Sequence, residues 1–155
     1  MQENIFLFEE VKTTWKKRNR SNIKINTSKD AYEYICKIIN FDDLIEEVFI
    51  VIYLNRSCHI IGWYICSVGG VAGTVVDAKK IFSTGLNCLS SHAIFCHNHP
   101  SGSLIPSDAD KKLTIKLIES GKLLDIEVID HLIIGNQEYL SFADEGILHE
   151  KSLSN

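Results

Sequence analysis

His97-Asn98-His99-Pro100-Ser101-Gly102, with Ser107 and Asp110 following, brings two imidazoles, a hydroxyl and a carboxylate into fourteen residues. These side chains suit zinc. Two neutral imidazoles and one carboxylate make a three-ligand set and leave the fourth tetrahedral position open to water, as in a catalytic rather than a structural site. Ala93-Ile94-Phe95-Cys96 is a short apolar run that reads as a buried strand, and residues two apart on a strand share a face, so His97 and His99 project together. Pro100 and Gly102 end the strand. From Ser107 to Leu124 apolar residues at Leu113, Leu117 and Leu124 recur with a helical period, with Ser107 as N-cap and Asp110 at the third helical position. A seven-residue loop returns that carboxylate to the histidines. The plainer alternative makes Ser107 and Asp110 a capping pair and the histidines ordinary polar residues at a strand end. Ser and Asp three apart, at this distance from His-x-His, favour the metal.

A zinc hydrolase also needs a base that takes a proton from water and later passes it to the leaving group. Glu47 is the candidate. It opens Glu47-Val48-Phe49-Ile50-Val51-Ile52-Tyr53-Leu54-Asn55, whose hydrophobicity and β-branched content read as a central strand. The residue pattern alone leaves a second reading equally open, in which Glu46 and Glu47 are solvated residues closing the preceding loop.

Glu47, the His97-Asn98-His99-Pro100-Ser101-Gly102 block and Pro106-Ser107-x-x-Asp110 together resemble the JAMM motif of JAB/MPN-type metalloproteins, and specifically the RadC family. The similarity continues through Gly69-Gly70-Val71-Ala72-Gly73-Thr74, Asp77, Lys80-Ile81-Phe82, Leu124-Asp125-Ile126, Asp130-His131-Leu132-Ile133-Ile134 and Tyr139-x-Ser141-Phe142, over about residues 26 to 148. The resemblance implies a JAB/MPN (cytidine-deaminase-like) α/β architecture in which His97, His99 and Asp110 bind Zn2+. It further implies that Glu47 is the general acid/base and that Ser107 positions water or stabilises the oxyanion. Gly70 stands where many relatives have threonine. Longer RadC proteins carry an N-terminal helical segment resembling DNA-binding helix-hairpin-helix units, whereas residues 1 to 46 have room for about one helix. Any DNA role taken from the family name loses support accordingly.

At 155 residues and 45% hydrophobic content the chain is expected to form a single domain, residues 1–155, with 1–25 as an N-terminal strand extension and 150–155 frayed. The longest apolar run, Val48 to Leu54, is too short to span a bilayer, and the N-terminus lacks a secretory pattern. A soluble, cytoplasmic protein is expected. Cys36, Cys58, Cys66, Cys88 and Cys96 are an odd set without Cys-x-x-Cys, which argues against a disulfide framework or a thiolate finger and for small buried hydrophobes. Cys96 should face away from His97. A cytidine-deaminase-type site would need Pro-Cys-x-x-Cys, which is absent.

The net charge of −4 gives no general attraction to nucleic acid. Lys12, Lys16, Lys17, Arg18, Arg20 and Lys24, with Trp15 among them, are a local exception that could contact phosphates or an acidic partner, although a solvated face is the more ordinary reading.

Residues 5 to 16 suggest an N-terminal strand or strand pair, and Thr27 or Ser28 caps a helix through Ala31, Ile35 and Ile38 to about Asn40. Glu47–Leu54 and Cys58–Cys66 read as a hairpin joined by Asn55-Arg56-Ser57. Gly69, Gly70 and Gly73 match neither a Walker pattern nor Gly-x-Gly-x-x-Gly and read as a bend or bulge. Asp77 caps a second helix to about Leu89, the helix from Ser107 leads into a strand from Glu127 to Ile134, and a short strand follows near Glu138 to Phe142. This alternation, with one hairpin included, predicts a mixed β-sheet flanked by helices. His131 reads as a core histidine paired with a neighbour, because a fourth protein ligand would close the site. His59, His92 and His149 lack partners at ligand spacing.

Three functions follow as expectations. The first is a zinc hydrolase acting on a peptide or isopeptide-like amide of a peptide or protein substrate. The second is a DNA-associated factor of repair or mobile elements, and the third a zinc-containing binding module without turnover. Residue spacing leaves the oligomeric state undetermined.

Overall fold

The computed structural model describes residues 22–69 and 76–149. Three helices and five strands appear there in the order α1 (Ser28–Ile38), β1 (Glu47–Leu54), β2 (Ile60–Gly69), α2 (Ala78–Asn87), β3 (His92–Asn98), α3 (Asp108–Lys122), β4 (Glu127–Gly135) and β5 (Glu138–Ser141). Each helix starts where a side chain satisfies its free N–H groups. Thr27 and Ser107 form capping boxes with Asp30 and Asp110, and the Asp77 carboxylate accepts from the Lys79 N–H.

The strands form one sheet in the order β2-β1-β3-β4-β5. Only β3 and β4 are parallel, because α3 makes the crossover between them; the other pairs are antiparallel. The sheet is therefore mixed and flanked by helices, as the sequence predicts.

The continuous apolar run of β1 is explained by burial on both faces, since every residue from Val48 to Leu54 is buried. Ile50, Ile52 and Leu54 pack with Ala31 and Ile35 of α1 on one side. Phe49, Val51 and Tyr53 pack with Ile81 and Phe82 of α2 and Leu117 of α3 on the other. Successive side chains alternate between the layers, so Cys96 joins the α1 side while its neighbour His97 faces α3.

Several expected boundaries shift. The first helix stops at Ile38 because Ile39 is already extended, and α2 stops at Asn87 rather than Leu89. The second hairpin strand starts at Ile60 rather than Cys58: the Asn55 side chain accepts from the Ser57 and His59 N–H groups, and Cys58 takes a left-handed φ of 60°, widening the turn. Burial of the cysteines also needs correction. All five are free, but only Cys66 and Cys96 are buried and Cys36 is exposed on α1. His92, which has no partner at ligand spacing in the sequence, lies 3.3 Å from the Glu127 carboxylate because β3 and β4 pair in parallel at that point.

The strand expected over residues 5 to 16, the bend at Gly70 and Gly73, the frayed end 150–155 and the basic residues Lys12 to Arg20 lie outside the described residues. Lys24 is described, and its backbone bridges to His59 beside β2.

Beyond Asn98 the β3–β4 ladder continues one step, as the His99 N–H donates to the Ile134 carbonyl at 2.9 Å, before the Gly102 N–H closes a turn onto the His99 carbonyl. Gly102 has φ +77°, a conformation that favours glycine. A Cβ at Gly135 would stand 2.9 Å from the Gly102 carbonyl carbon and oxygen, so Gly135 lets this loop lie against β4. Gly135→Ala is expected to lower the unfolding free energy by about 1–3 kcal/mol through overpacking. A denaturation midpoint equal to wild type would show that the contact has slack.

Candidate metal centre

His97 lies near the end of β3, His99 one residue beyond it, and Asp110 in the first turn of α3. The approach of that turn to the strand end brings their side chains together. The His97 and His99 Nε2 atoms are 3.0 Å apart, with Asp110 Oδ1 3.4 Å from His97 Nε2 and Asp110 Oδ2 3.5 Å from His99 Nε2. One donor atom from each residue lies within 4.8 Å of the others, a group that could hold a metal ion. His97 is buried, whereas His99 and Asp110 are partly exposed.

Hydrogen-bond direction fixes which ring nitrogens carry protons. The Asp110 carbonyl can only accept, so the Thr114 hydroxyl donates to it at 2.6 Å. The same hydroxyl must then accept from His131 Nδ1–H, also at 2.6 Å. His131 is fully buried, and burial first, then neighbouring His97, holds its pKa well below the usual histidine range. In that neutral ring Nε2 bears a lone pair and accepts from His97 Nδ1–H at 2.8 Å, which leaves His97 Nε2 bare. The neutral His99 ring donates Nδ1–H to the Ser103 carbonyl at 2.7 Å and presents a second bare Nε2.

Two nitrogen lone pairs and a carboxylate thus face one another, a repulsive arrangement that a shared cation relieves. The nitrogen and oxygen donor set suits zinc and also other divalent ions. Without such an ion a proton is the available substitute: the hydrogen bond to Asp110 raises the His99 pKa against the effect of burial, and Glu47 adds to the rise. Burial alone would raise the Asp110 pKa, but bonds from His97 and His99, made when a shared proton lets an imidazole Nε2 donate, and from Ser107 hold it far below the carboxylate range.

Ser107 and Asp110 are both capping pair and site residues. Asp110 Oδ2 accepts from the Ser107 N–H at 2.8 Å and the Ser107 hydroxyl at 2.6 Å, while the Asp110 N–H donates to Ser107 Oγ at 3.1 Å. The cap therefore orients the carboxylate toward the histidines. Glu47 reaches the same region from 50 residues upstream by register. Phe49 pairs with His97 in an antiparallel ladder, so continuing that ladder sets Glu47 across from His99.

Several supporting residues carry no strong sequence signal. Asn98, between the histidines, points to the opposite face and clamps the start of β1. Its Oδ1 accepts from the Val48 N–H at 2.8 Å and its Nδ2 donates to the Glu46 carbonyl at 3.1 Å, gripping the chain on both sides of Glu47. Asn98→Ala is expected to cost about 2–6 kcal/mol, because two backbone groups lose their partner at roughly 1–3 kcal/mol each. Chemical denaturation reads the loss, and a change under 0.5 kcal/mol, within the roughly ±0.5 kcal/mol of an ordinary surface substitution, would reject the clamp. Thr114 and His131 are discernible only in hindsight, Thr114 one helical turn from Asp110 and His131 on the strand parallel to β3. The His131 ring pairs with Thr114 and His97, while the Asp130 carboxylate accepts from the His131 and Ala143 N–H groups and from the Ser141 hydroxyl.

A three-layer α/β domain that gathers two histidines and an aspartate at the end of its parallel strand pair defines a candidate metalloprotein class. The sequence matches the family described as RadC-like JAB domain over residues 25–147. This chain belongs to that family. It is 47% identical over 124 residues to a UPF0758 protein of Flavobacterium johnsoniae, covering 80% of this chain and 53% of the relative. A UPF0758 protein of Methanosarcina mazei is 37% identical over 125 residues, covering 81% and 54%. The UPF0758 protein SH1266 of Staphylococcus haemolyticus is 36% identical over 124 residues, covering 80% and 54%. The chain thus spans about half the length of the curated relatives it matches. Among the described residues no helix is long and apolar enough to cross a membrane.

Proposed function

We propose that this chain is a zinc-dependent hydrolase of the JAMM type that cleaves a peptide or isopeptide-like amide. The observation that carries this reading is the convergence of two bare imidazole nitrogens and one carboxylate at a partly exposed site where the Glu47 charge acts on His99. His97, His99 and Asp110 would hold the ion, which supplies Lewis acidity for polarising a carbonyl and activating water.

Glu47 accepts a proton from the attacking water on its carboxylate and returns it to the amide nitrogen as the C–N bond breaks. The family resemblance implies that Ser107 contacts the water or the oxyanion. Its hydroxyl proton is committed to Asp110 Oδ2, so its part is to orient that carboxylate, and contact with the oxyanion requires exchange of this bond. A cleft of about 510 Å³ on the α1 side of the sheet, lined in part by Tyr32, Phe41, Asp42 and Gln137, reaches the site at His99 and supplies room for a substrate segment that extends past that residue. The five free cysteines support a reducing, cytoplasmic setting.

The test is elemental analysis combined with turnover of fluorogenic peptide and isopeptide-linked amides before and after chelation. About one zinc per chain is expected, with amide cleavage that chelator removes and zinc restores. No metal after reconstitution, or cleavage indifferent to chelator, would reject the proposal.

A further inference from the structure

The hydrogen bonds behind His97 form a chain that begins and ends on one residue. Asp110 contributes its carboxylate to the site and its backbone carbonyl to the Thr114 hydroxyl, Thr114 joins His131, and His131 joins His97, whose Nε2 returns to the Asp110 carboxylate. The three hydrogen bonds measure 2.6, 2.6 and 2.8 Å, and Thr114, His131 and His97 are all buried, so water does not compete for them. The rings of Phe49, Phe95 and Phe142 enclose His131.

We propose that His131 and Thr114 are positioning residues that set the metal-binding tautomer of His97, with the Thr114 hydroxyl deciding the direction of the whole chain. This rests on the metal reading above and extends it to groups outside the ligand set. Every proton in the chain is determined by its one invariant acceptor, the Asp110 carbonyl.

Without the hydroxyl, His131 Nδ1–H has no partner. The neutral ring then gains by moving its proton to Nε2 and donating to His97 Nδ1. His97 in turn must carry its own proton on Nε2, the atom that faces His99 and Asp110. A proton there occupies the lone pair that a cation needs. Thr114 thus acts on the metal through two intervening rings without touching it.

Thr114→Val and Thr114→Ser separate this effect from packing. Valine keeps the branched shape and removes the hydroxyl, whereas serine keeps the hydroxyl and removes a methyl. The chain predicts a 10–100-fold loss of zinc affinity for Thr114→Val, roughly the cost of an outer-shell partner of a metal-bound histidine, and no more than about threefold for Thr114→Ser. Packing alone predicts the reverse order. Zinc affinity is read by competition with a chromophoric chelator, with no dependence on turnover.

A second readout uses the metal-free wild type at mildly alkaline pH, where long-range ¹H–¹⁵N spectra report which ring nitrogens are protonated. His97 and His131 should both carry Nδ1–H in wild type and in Thr114→Ser, and both Nε2–H in Thr114→Val. Wild-type rings with Nε2–H, equal zinc affinity for valine and wild type, or a serine variant as weak as valine would each overturn the proposal. If wild type shows the predicted tautomers yet binds no zinc, the hydrogen-bond chain stands and the metal reading fails. If zinc binds but the tautomers are reversed, the metal reading stands and the chain fails.

Discussion

Replacing His97 with alanine is expected to remove stoichiometric zinc from the purified protein. The ring supplies one of three donors in the candidate set, and Nε2 is directed by a buried hydrogen bond. Its deletion should cost more than the roughly 10–100-fold in affinity attached to an outer-shell partner. The substitution also leaves His131 Nε2 without its donor in a buried pocket, so some stability is lost with the metal. Asp110→Asn provides the control: it nearly preserves side-chain shape and leaves the Asp110 carbonyl to Thr114 intact, while removing the negative charge between the imidazoles. Elemental analysis beside wild type, with a folded amide spectrum required of both variants, decides the matter. Wild-type zinc content in a folded His97→Ala protein would dismiss this site as the metal centre.

Glu47→Gln is expected to keep zinc and lose turnover. The amide occupies nearly the same volume, the Asn98 clamp grips backbone groups of Glu46 and Val48 rather than the Glu47 side chain, and Glu47 lies outside the three-residue donor group. Only the capacity to take and return a proton disappears, and general acid–base catalysis of this kind contributes about 10²–10⁴-fold. The measurement is kcat on the amide substrate that wild type cleaves, normalised to bound zinc. A drop in that range with unchanged zinc supports the role of Glu47. Full activity would assign the proton transfer to another group. The two substitutions together separate binding from chemistry, because each spares what the other removes.

Much of the site is legible in the chain because its parts are local. His97 and His99 obey the two-residue period of a strand, and the continued pairing of His99 with Ile134 extends that geometry one step past β3. Ser107 and Asp110 obey the capping geometry of a helix start, which orients the carboxylate whether or not a metal is present. Capping and metal binding are not exclusive here, since one hydrogen-bond pattern caps α3 and turns the Asp110 carboxylate toward the histidines. The main helices and strands are legible for similar reasons, with errors of about two residues where a turn is closed by side-chain bonds, as at Asn55.

Glu47 is different. Its residue type suggests a base, but the pattern around it is equally consistent with a solvated loop end. What sets it near His99 is the antiparallel register of β1 on β3, selected because one-residue slippage would turn Phe49, Val51 and Tyr53 out of one core layer and Ile50, Ile52 and Leu54 out of the other.

The candidate donor residues, the strand and helix that carry them, and the mixed α/β class are readable from the chain alone, because short-range periodicity and capping act within one element. That the candidate donors meet, that Glu47 lies in register with His99 and that Thr114, His131 and His97 join in one hydrogen-bonded chain depends on how distant segments pack. Those relations join β1, β3, β4 and α3 across long stretches of chain. Their physical cause is the packing of two core layers and the need of buried polar groups for partners, neither of which is a property of any one segment.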